Sequence, residues 1–332
     1  MTNTSGNSEQ PNALHGILLV DKPVGITSHD VVDEVRRVLR VRRIGHAGTL
    51  DPIANGLLVV LVGEATKISE YLQGADKQYE GTLKLGFVSD TYDSTGQVED
   101  GPSKKYPSLE EIQDLADELT GRINQVPPPY SAKKVGGKKL YEYARAGQPV
   151  EVESRSIEVH DFQILEAEGE DVEFGIECSS GTYVRALVHE LGKRTKCGAI
   201  LTSLRRTVSG SFDVEDSISL DELKNMSPED EVLRQRIIPI RKAMPTMAAG
   251  WLGAGAEDWL RRGQSIPSTL VELEPEAGRP AKGTVLVLCR MMGDAVALAR
   301  VDPAPLSAPP RSLADAPGPW YQPIKIFDIP PA

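Results

Sequence analysis

Apolar positions come in continuous runs, in alternation and at helical spacing along this chain, and each pattern predicts its own kind of element. GILLVDKP, residues 16 to 23, opens as a short apolar strand and breaks at Pro23-Val24-Gly25. Thr27 or Ser28 then caps a predicted helix whose apolar face is Val31, Val32, Val35, Val38 and Leu39. Its arginines fall largely on the other side. GLLVVLVG, 56 to 63, is apolar enough for a strand buried on both faces and too short to span a membrane. A short helix from about Glu64 to Leu72 leads to the strand YEGTLKLGF, 79 to 87. Ser108-x-x-Glu111 is a capping box for a helix carrying Leu109, Ile112, Leu115 and Leu119, with Gly121 closing it. Residues 124 to 147 mix a stiff proline run, a basic glycine turn and a short helix stopped by Gly147. Strands near 155 to 165 and 172 to 178 bracket an acidic turn. A helix over 182 to 195 carries Val184, Leu187, Val188 and Leu191.

These elements intersperse without a regular βαβ rhythm, which predicts an α+β fold with a mixed, largely antiparallel sheet. After PIRKAMPTM, near 240 to 247, the composition shifts. The helix EDWLRRGQ and the strands TVLVLCR, AVALARV and WYQPIKIF predict a small β-rich second domain, interrupted by a Pro/Ala-rich connection over 302 to 319. The expected organisation is a polar, disordered tail over 1–14, a main domain over 15–244 with a basic insertion at 127–150, and a second domain over 245–332.

Composition adjusts this picture rather than remaking it. The 332 residues are 40% hydrophobic and 26% charged, as in a soluble globular protein. The N-terminus lacks a basic n-region and an apolar h-region, so a secretory signal is not expected. Cys178, Cys197 and Cys289 are far apart, without a C-x-x-C, and the five histidines show no ligand spacing. No metal is implied, and a reducing, cytoplasmic location is expected. The net charge of −11 argues at first against a polyanionic partner. Basic residues nevertheless cluster: Arg36, Arg37, Arg40, Arg42 and Arg43; Lys133, Lys134, Lys138, Lys139 and Arg145; Arg185, Lys193, Arg194, Lys196, Arg205 and Arg206. Read blandly these are solvated faces; read sharply they form one surface on which a phosphate backbone docks.

The stretch HAGTLDPIANG, 46 to 56, carries the strongest candidate chemistry. Asp-Pro alone is an ordinary turn or helix start. Here, though, Pro52 pushes Asp51 toward an extended conformation, Gly48 and Gly56 allow sharp turns, and a rigid apolar strand follows. One carboxylate held this way can act as nucleophile, base or electrostatic stabiliser. Asp90 and Asp93, in SDTYDSTG, read as turn residues rather than as the second acid of a glycoside hydrolase. VGGKK, 135 to 139, lacks the spacing of a phosphate-binding P-loop and reads as a basic hairpin.

Seven blocks then resemble, in order, the TruB-type tRNA pseudouridine synthases. They are DKPVGITSHD (21 to 30), GHAGTLDPIANGLL (45 to 58), GEATK (63 to 67), KQYEGTLKLGFVSDTYDSTG (77 to 96), QVPPPYSAKKVGGKKLYEYARAG (125 to 147), CSSGTYVRALVHELG (178 to 192) and LRRTVSGSF (204 to 212). Together they cover nearly all of residues 16 to 212. The C-terminal third resembles the family's PUA-like RNA-binding domain more loosely. The resemblance implies a pseudouridine synthase fold, and isomerisation of uridine 55 in the tRNA T-loop without a cofactor. Asp51 would be the essential carboxylate and Arg185 the arginine that pairs with it. Tyr79 would stack on the target base and share in the last proton transfer, Tyr183 would contact substrate, and Leu204 would wall the pocket. His46 would contact RNA and fill the space left by a flipped nucleotide. Lys22 would support the active-site loop or a phosphate. The implied partner is the tRNA T stem-loop, with no membrane, no obligate protein partner and a monomeric chain.

From the residues alone each has a plainer reading. Tyr79 is a good strand residue, Leu204 a core leucine, Arg185 a helix-surface arginine, Lys22 a solvated turn lysine, Tyr183 helix-terminal packing and His46 a loop histidine. The competing function is an RNA-binding or RNA-folding module with incidental catalysis. A carboxylate hydrolase of nucleosides is a third class, and requires a second acid.

Overall fold

The computed structural model describes residues 14–131, 133–148, 150, 152–275, 278, 280–291, 293–303 and 316–329, and for Lys134 and Lys139 the backbone alone. The tail expected over 1–14 lies, Leu14 apart, outside the described residues, as does most of the Pro/Ala-rich connection.

A ten-stranded mixed sheet organises the first two thirds of the chain. Its path runs Ile218–Ser219, Gly16–Lys22, Ala54–Val62, Ala199–Ser209, Lys77–Leu85, Asp171–Cys178, Arg155–Glu168, Gly121–Gln125. Ile44–His46 and Phe212–Asp213 pair to its side. Only Ile218–Ser219 with Gly16–Lys22, and Ala199–Ser209 with Ala54–Val62, are parallel pairs among these. The fold is therefore α+β with a largely antiparallel sheet.

The apolar runs do what their spacing dictates. Ala54–Val62 is buried at every position but Asn55. The helix Ser28–Leu39 starts at a capping box of Thr27 and Asp30, and buries Val31, Val32, Val35, Val38 and Leu39 against that strand's neighbours. Leu109–Asp117, capped by Ser108 and Glu111, and Val184–Arg194 pack on the other half of the sheet. Gly121 does not close its helix as expected. The helix ends at Asp117, and Gly121 opens a strand paired with Arg155–Glu168.

The second sheet, six strands between Ala249 and Ile326, has its own core around Leu260, Leu286, Val296 and Tyr321. A shared apolar cluster joins it to the first, bringing Leu57, Val59 and Leu61 against Val287, Leu298 and Phe327. Lys67 Nζ donates to the Ile326 carbonyl at 2.6 Å, and the Asp328 amide donates to Glu64 at 2.9 Å, across the same seam. Among the described residues no helix is long and apolar enough to cross a membrane.

Position in the sheet sets up the site. The parallel pairing of Ala199–Ser209 with Ala54–Val62 covers only Leu204 to Arg206 opposite Ala54 to Gly56. Gly56, at φ +94°, allows the approach: a Cβ there would lie 2.4 Å from the Arg206 carbonyl oxygen. Just before this contact, at mid-sheet, lies the loop with Asp51.

Candidate active site

The Asp51 loop is fastened at several points before any active-site side chain is considered. The Gly25 amide donates to the Pro52 carbonyl at 2.8 Å, and Ala54 N to the Asp51 carbonyl at 3.0 Å. The buried Ser28 hydroxyl both donates to Leu50 O (3.0 Å) and accepts from Leu50 N (2.8 Å). Lys22 is fully buried, and its Nζ donates to the carbonyls of Ile26 (2.7 Å) and Pro23 (3.0 Å). The solvated-lysine reading fails: this ammonium cross-links the turn whose Gly25 amide donates to the Pro52 carbonyl. Burial pulls it down to about 8, with the nearby Asp51 charge opposing that fall.

Arg185 is not on a helix surface. It sits in the first turn of Val184–Arg194, 4% exposed, and its guanidinium binds three loops at once. Nε donates to Asp51 Oδ2 at 2.8 Å, Nη1 to the Thr91 carbonyl at 2.9 Å and Nη2 to the Tyr130 carbonyl at 2.8 Å. Asp93 Oδ2 lies 3.8 Å from Nη1. The other oxygen of the buried Asp93 accepts from the Thr91 and Thr95 hydroxyls and the Thr95 amide, so the turn reading of this residue holds alongside a second task. Asp51 Oδ1 has no hydrogen-bond partner among the described residues. The arginine thus fixes one carboxylate oxygen and leaves the other to the pocket.

That pocket, about 310 Å³ and open on one side, is lined by Asp51, Tyr79, Ser131, Tyr183, Leu204 and Arg206 among others. Leu50, Ala54, Tyr79 and Leu204 form its apolar wall, continuous with the sheet core. Burial pushes the Tyr79 phenol up, and the Arg206 guanidinium beside its hydroxyl opposes that rise. Tyr183 precedes the Arg185 helix, and its backbone amide and carbonyl are both bonded to the Gln125 side chain at 2.8 and 3.0 Å. His46 stands apart from this lining, on Ile44–His46, with Nδ1 buried and without a hydrogen-bond partner among the described residues. Burial lowers its pKa.

The structure thus brings Asp51, Arg185, Tyr79, Tyr183 and Leu204 together, puts Lys22 beneath the loop, and sets His46 to one side. Sequence reading missed Arg206 as part of the site. It is 1% exposed, with Nε donating to the Leu57 carbonyl at 2.7 Å and Nη2 to Gly48 O at 3.2 Å. The strand Ala199–Ser209 was not expected; had it been, a period of two would have put Arg206 on the face of Leu204. Ser131 and Arg155 were also missed: Ser131 lies within the block 125 to 147 with nothing to single it out, and no pattern marks Arg155.

The expected basic surface needs correction. Arg185 and Arg206 are buried, and several exposed or half-buried arginines already have acids. Arg36 pairs with Asp33, Arg37 with Glu34 and Arg194 with Glu118; Arg43 reaches Glu64 at 2.7 Å, and Arg205 grips Asp21 through two bonds of 3.1 and 2.8 Å. Local acids absorb charge that a residue count assigned to a partner. Among the described residues no three His, Cys, Asp or Glu side chains converge as a metal would require.

Fold and site define the class. The protein chain of an H/ACA ribonucleoprotein bound to a substrate RNA containing 2′-deoxyuridine superposes with a TM-score of 0.69 at 25% identity, covering 96% of this chain and 87% of that one. The architecture is that of a pseudouridine synthase. Residues 36–184 match the TruB family pseudouridylate synthase N-terminal domain, and residues 185–244 the tRNA pseudouridylate synthase B C-terminal domain. The tRNA pseudouridine synthase B of Geobacter sulfurreducens is 40% identical over 289 residues, 87% of this chain and 93% of its own. That of Opitutus terrae is 45% identical over 235 residues, 70% of this chain and 96% of its own. The chain belongs to the TruB family of tRNA pseudouridine synthases.

Proposed function

We propose that this chain isomerises uridine 55 in the T-loop of tRNA to pseudouridine, with Asp51 as the essential carboxylate. The reading rests above all on one observation: buried Arg185 holds Asp51 Oδ2 at 2.8 Å, while Asp51 lines an open pocket and its Oδ1 has no hydrogen-bond partner among the described residues.

The reaction breaks the N1–C1′ bond, turns the uracil, joins C5 to C1′ and releases the C5 proton. It consumes no electron or group donor. A stacked uridine hides N1 and C1′, so the nucleotide must leave the loop at a cost of a few kcal/mol. Tyr79 and Leu204 supply the apolar surface that receives the base, and stacking on the tyrosine returns about 1–3 kcal/mol. Asp51 then meets the sugar or the base through Oδ1: attack at C1′, attack at C6 and removal of a C2′ proton all fit one free oxygen. In each, charge develops beside a carboxylate whose counter-ion is already in place.

The pocket argues against hydrolysis. Glycosidases use two carboxyl groups, and Asp51 is the only acid that lines this pocket among the described residues. Asp93, the nearest further carboxylate along Arg185, has its oxygens engaged by Thr91, Thr95 and Arg185. We assign the second sheet a PUA-like RNA-binding role and the chain a monomeric, cytoplasmic life on tRNA without an obligate protein partner.

The test is site-resolved mapping of pseudouridine in tRNA after incubation with the purified chain. Wild type should modify position 55 and release no free uracil. Asp51→Asn should lose activity on the order of 10³-fold or more while tRNA binding changes little. An active Asn variant, or uracil release by wild type, overturns the assignment.

A further inference from the structure

One wall of the Asp51 pocket carries polar groups that the protein leaves without partners. Ser131 is 5% exposed, lines the pocket, and its buried hydroxyl meets no donor or acceptor among the described residues. A buried hydroxyl left unmade costs about 1–3 kcal/mol, so such a group calls for an explanation. Arg155, at the start of its strand, lines the same wall. Its Nε is buried and unpartnered, and no carboxylate pairs with it among the described residues.

Its guanidinium is nonetheless firmly placed. It lies over the Tyr183 ring, 4.7 Å from the centroid. It also lies against Gly181, where a Cβ would come within 2.9 Å of Nη1 and 3.1 Å of Cζ. An arginine fitted between a ring and a glycine keeps its planar edge of donors for something else. Lys133, which also lines the pocket, makes one side-chain bond among the described residues, from Nζ to the Glu153 carbonyl at 3.2 Å.

The contrast with the other cations of the pocket is chemical. Arg185 is satisfied by Asp51 and two carbonyls, Arg206 by two carbonyls, and Lys77 by the carbonyls of Gln73 and Ala75. Among the described residues the pocket is lined by one acid, while Arg155, Lys133 and Ser131 add two cations and a hydroxyl. Arg155 Nε and Ser131 Oγ are shielded from solvent and meet an oxyanion once these side chains turn outward. An arginine edge with a hydroxyl and an ammonium suits a phosphodiester.

We propose that Arg155, Ser131 and Lys133 form a phosphate subsite that binds a phosphodiester flanking the target nucleotide once that nucleotide has left the stack. The inference rests on the isomerase reading above. A flipped nucleotide carries its two neighbouring phosphates to the pocket mouth, and holding one of them fixes the sugar relative to Asp51. Arg155 here positions substrate; it performs no bond chemistry.

The test uses T stem-loop RNAs in which one or other phosphate flanking the target uridine is replaced by an uncharged methylphosphonate. These are compared on wild type, Arg155→Ala, Arg155→Lys and Ser131→Ala. For wild type, neutralising one of the two phosphates should weaken binding ~10-fold, and Arg155→Ala should weaken the native RNA similarly while lowering the salt slope by about 1. The Arg155→Ala variant should then be indifferent to the same methylphosphonate. Arg155→Lys should recover part of the affinity, and Ser131→Ala should lose ~2–5-fold. If Arg155→Ala still responds to both methylphosphonates as wild type does, or binds native RNA unchanged, the subsite does not exist. A wild type that binds normally but makes no pseudouridine instead refutes the isomerase reading, so the two failures are distinct.

Discussion

Two walls of one pocket are built on opposite rules. On the Asp51 side the buried cations each have two or three oxygen partners inside the protein: Lys22 the carbonyls of Pro23 and Ile26, Arg206 those of Leu57 and Gly48, Arg185 Asp51, Thr91 and Tyr130. On the Arg155 side, Ser131 Oγ and Arg155 Nε have no partner among the described residues. A saturated wall cannot gain by rearranging, so it holds geometry; an unsaturated wall gains when substrate arrives. The comparison separates residues that should govern rate from residues that should govern affinity.

The largest effect expected on the saturated side comes from Arg185. Replacing it with Met removes the donor to Asp51, strips two carbonyls of their partner and leaves the buried Asp93 without its nearest cation. Turnover should fall on the order of 10²–10³-fold with tRNA affinity held within a few-fold, and folding should lose about 3 kcal/mol. Arg185→Lys keeps the charge but cannot reach three acceptors in one plane, so most of the rate loss should remain. Single-turnover kinetics beside a urea titration reads both. A variant that loses affinity and keeps its rate would erase the distinction between the walls.

Gly181→Ala tests the unsaturated side with a smaller change. At φ +84° an alanine is strained, and its Cβ collides with the Arg155 guanidinium. Affinity for tRNA should fall several-fold, and folding should lose about 1 kcal/mol. In an Arg155→Ala background the affinity cost should vanish, because the group being displaced is gone. Additive losses in the double variant would mean that Gly181 acts through the backbone and not through Arg155.

The two walls also differ in how legible they were. Asp51 stood out because Asp-Pro between glycines before an apolar strand is an unusual way to hold one acid, and ordered blocks tied it to Arg185 134 residues away. The helices at Ser28 and Ser108 followed from capping boxes and spacing. The central strand Ala199–Ser209 did not show, because bulges after Leu201 and Arg206 break its alternation. Arg206 was therefore counted with the surface. Ser131 and Arg155 were invisible for a different reason. A missing partner is a property of three-dimensional surroundings, and no local pattern encodes it.

The smallest effect concerns stability and touches the saturated wall alone. Burial lowers Lys22 and Lys77 each to about 8 from an ordinary 10.5. Between those values the unfolded chain binds more protons at these lysines than the folded one, so they push stability up as pH climbs, while the buried Cys178 and Cys289 thiols, raised to about 11 and about 12, offset part of that gain. Below about pH 8 both states carry the charge, and the cost of burying it is constant. The urea midpoint should therefore increase from about pH 8 to about pH 9.5, by an amount equivalent to on the order of 1–2 kcal/mol. Lys22→Met should remove about half of that slope, while forfeiting the two bonds that tie Ile26 and Pro23 beneath the Asp51 loop. A Lys22→Met variant whose midpoint climbs as steeply as that of wild type would show that water reaches this ammonium group. The wall beneath Asp51 would then be as open as the one opposite, and the contrast between them would dissolve.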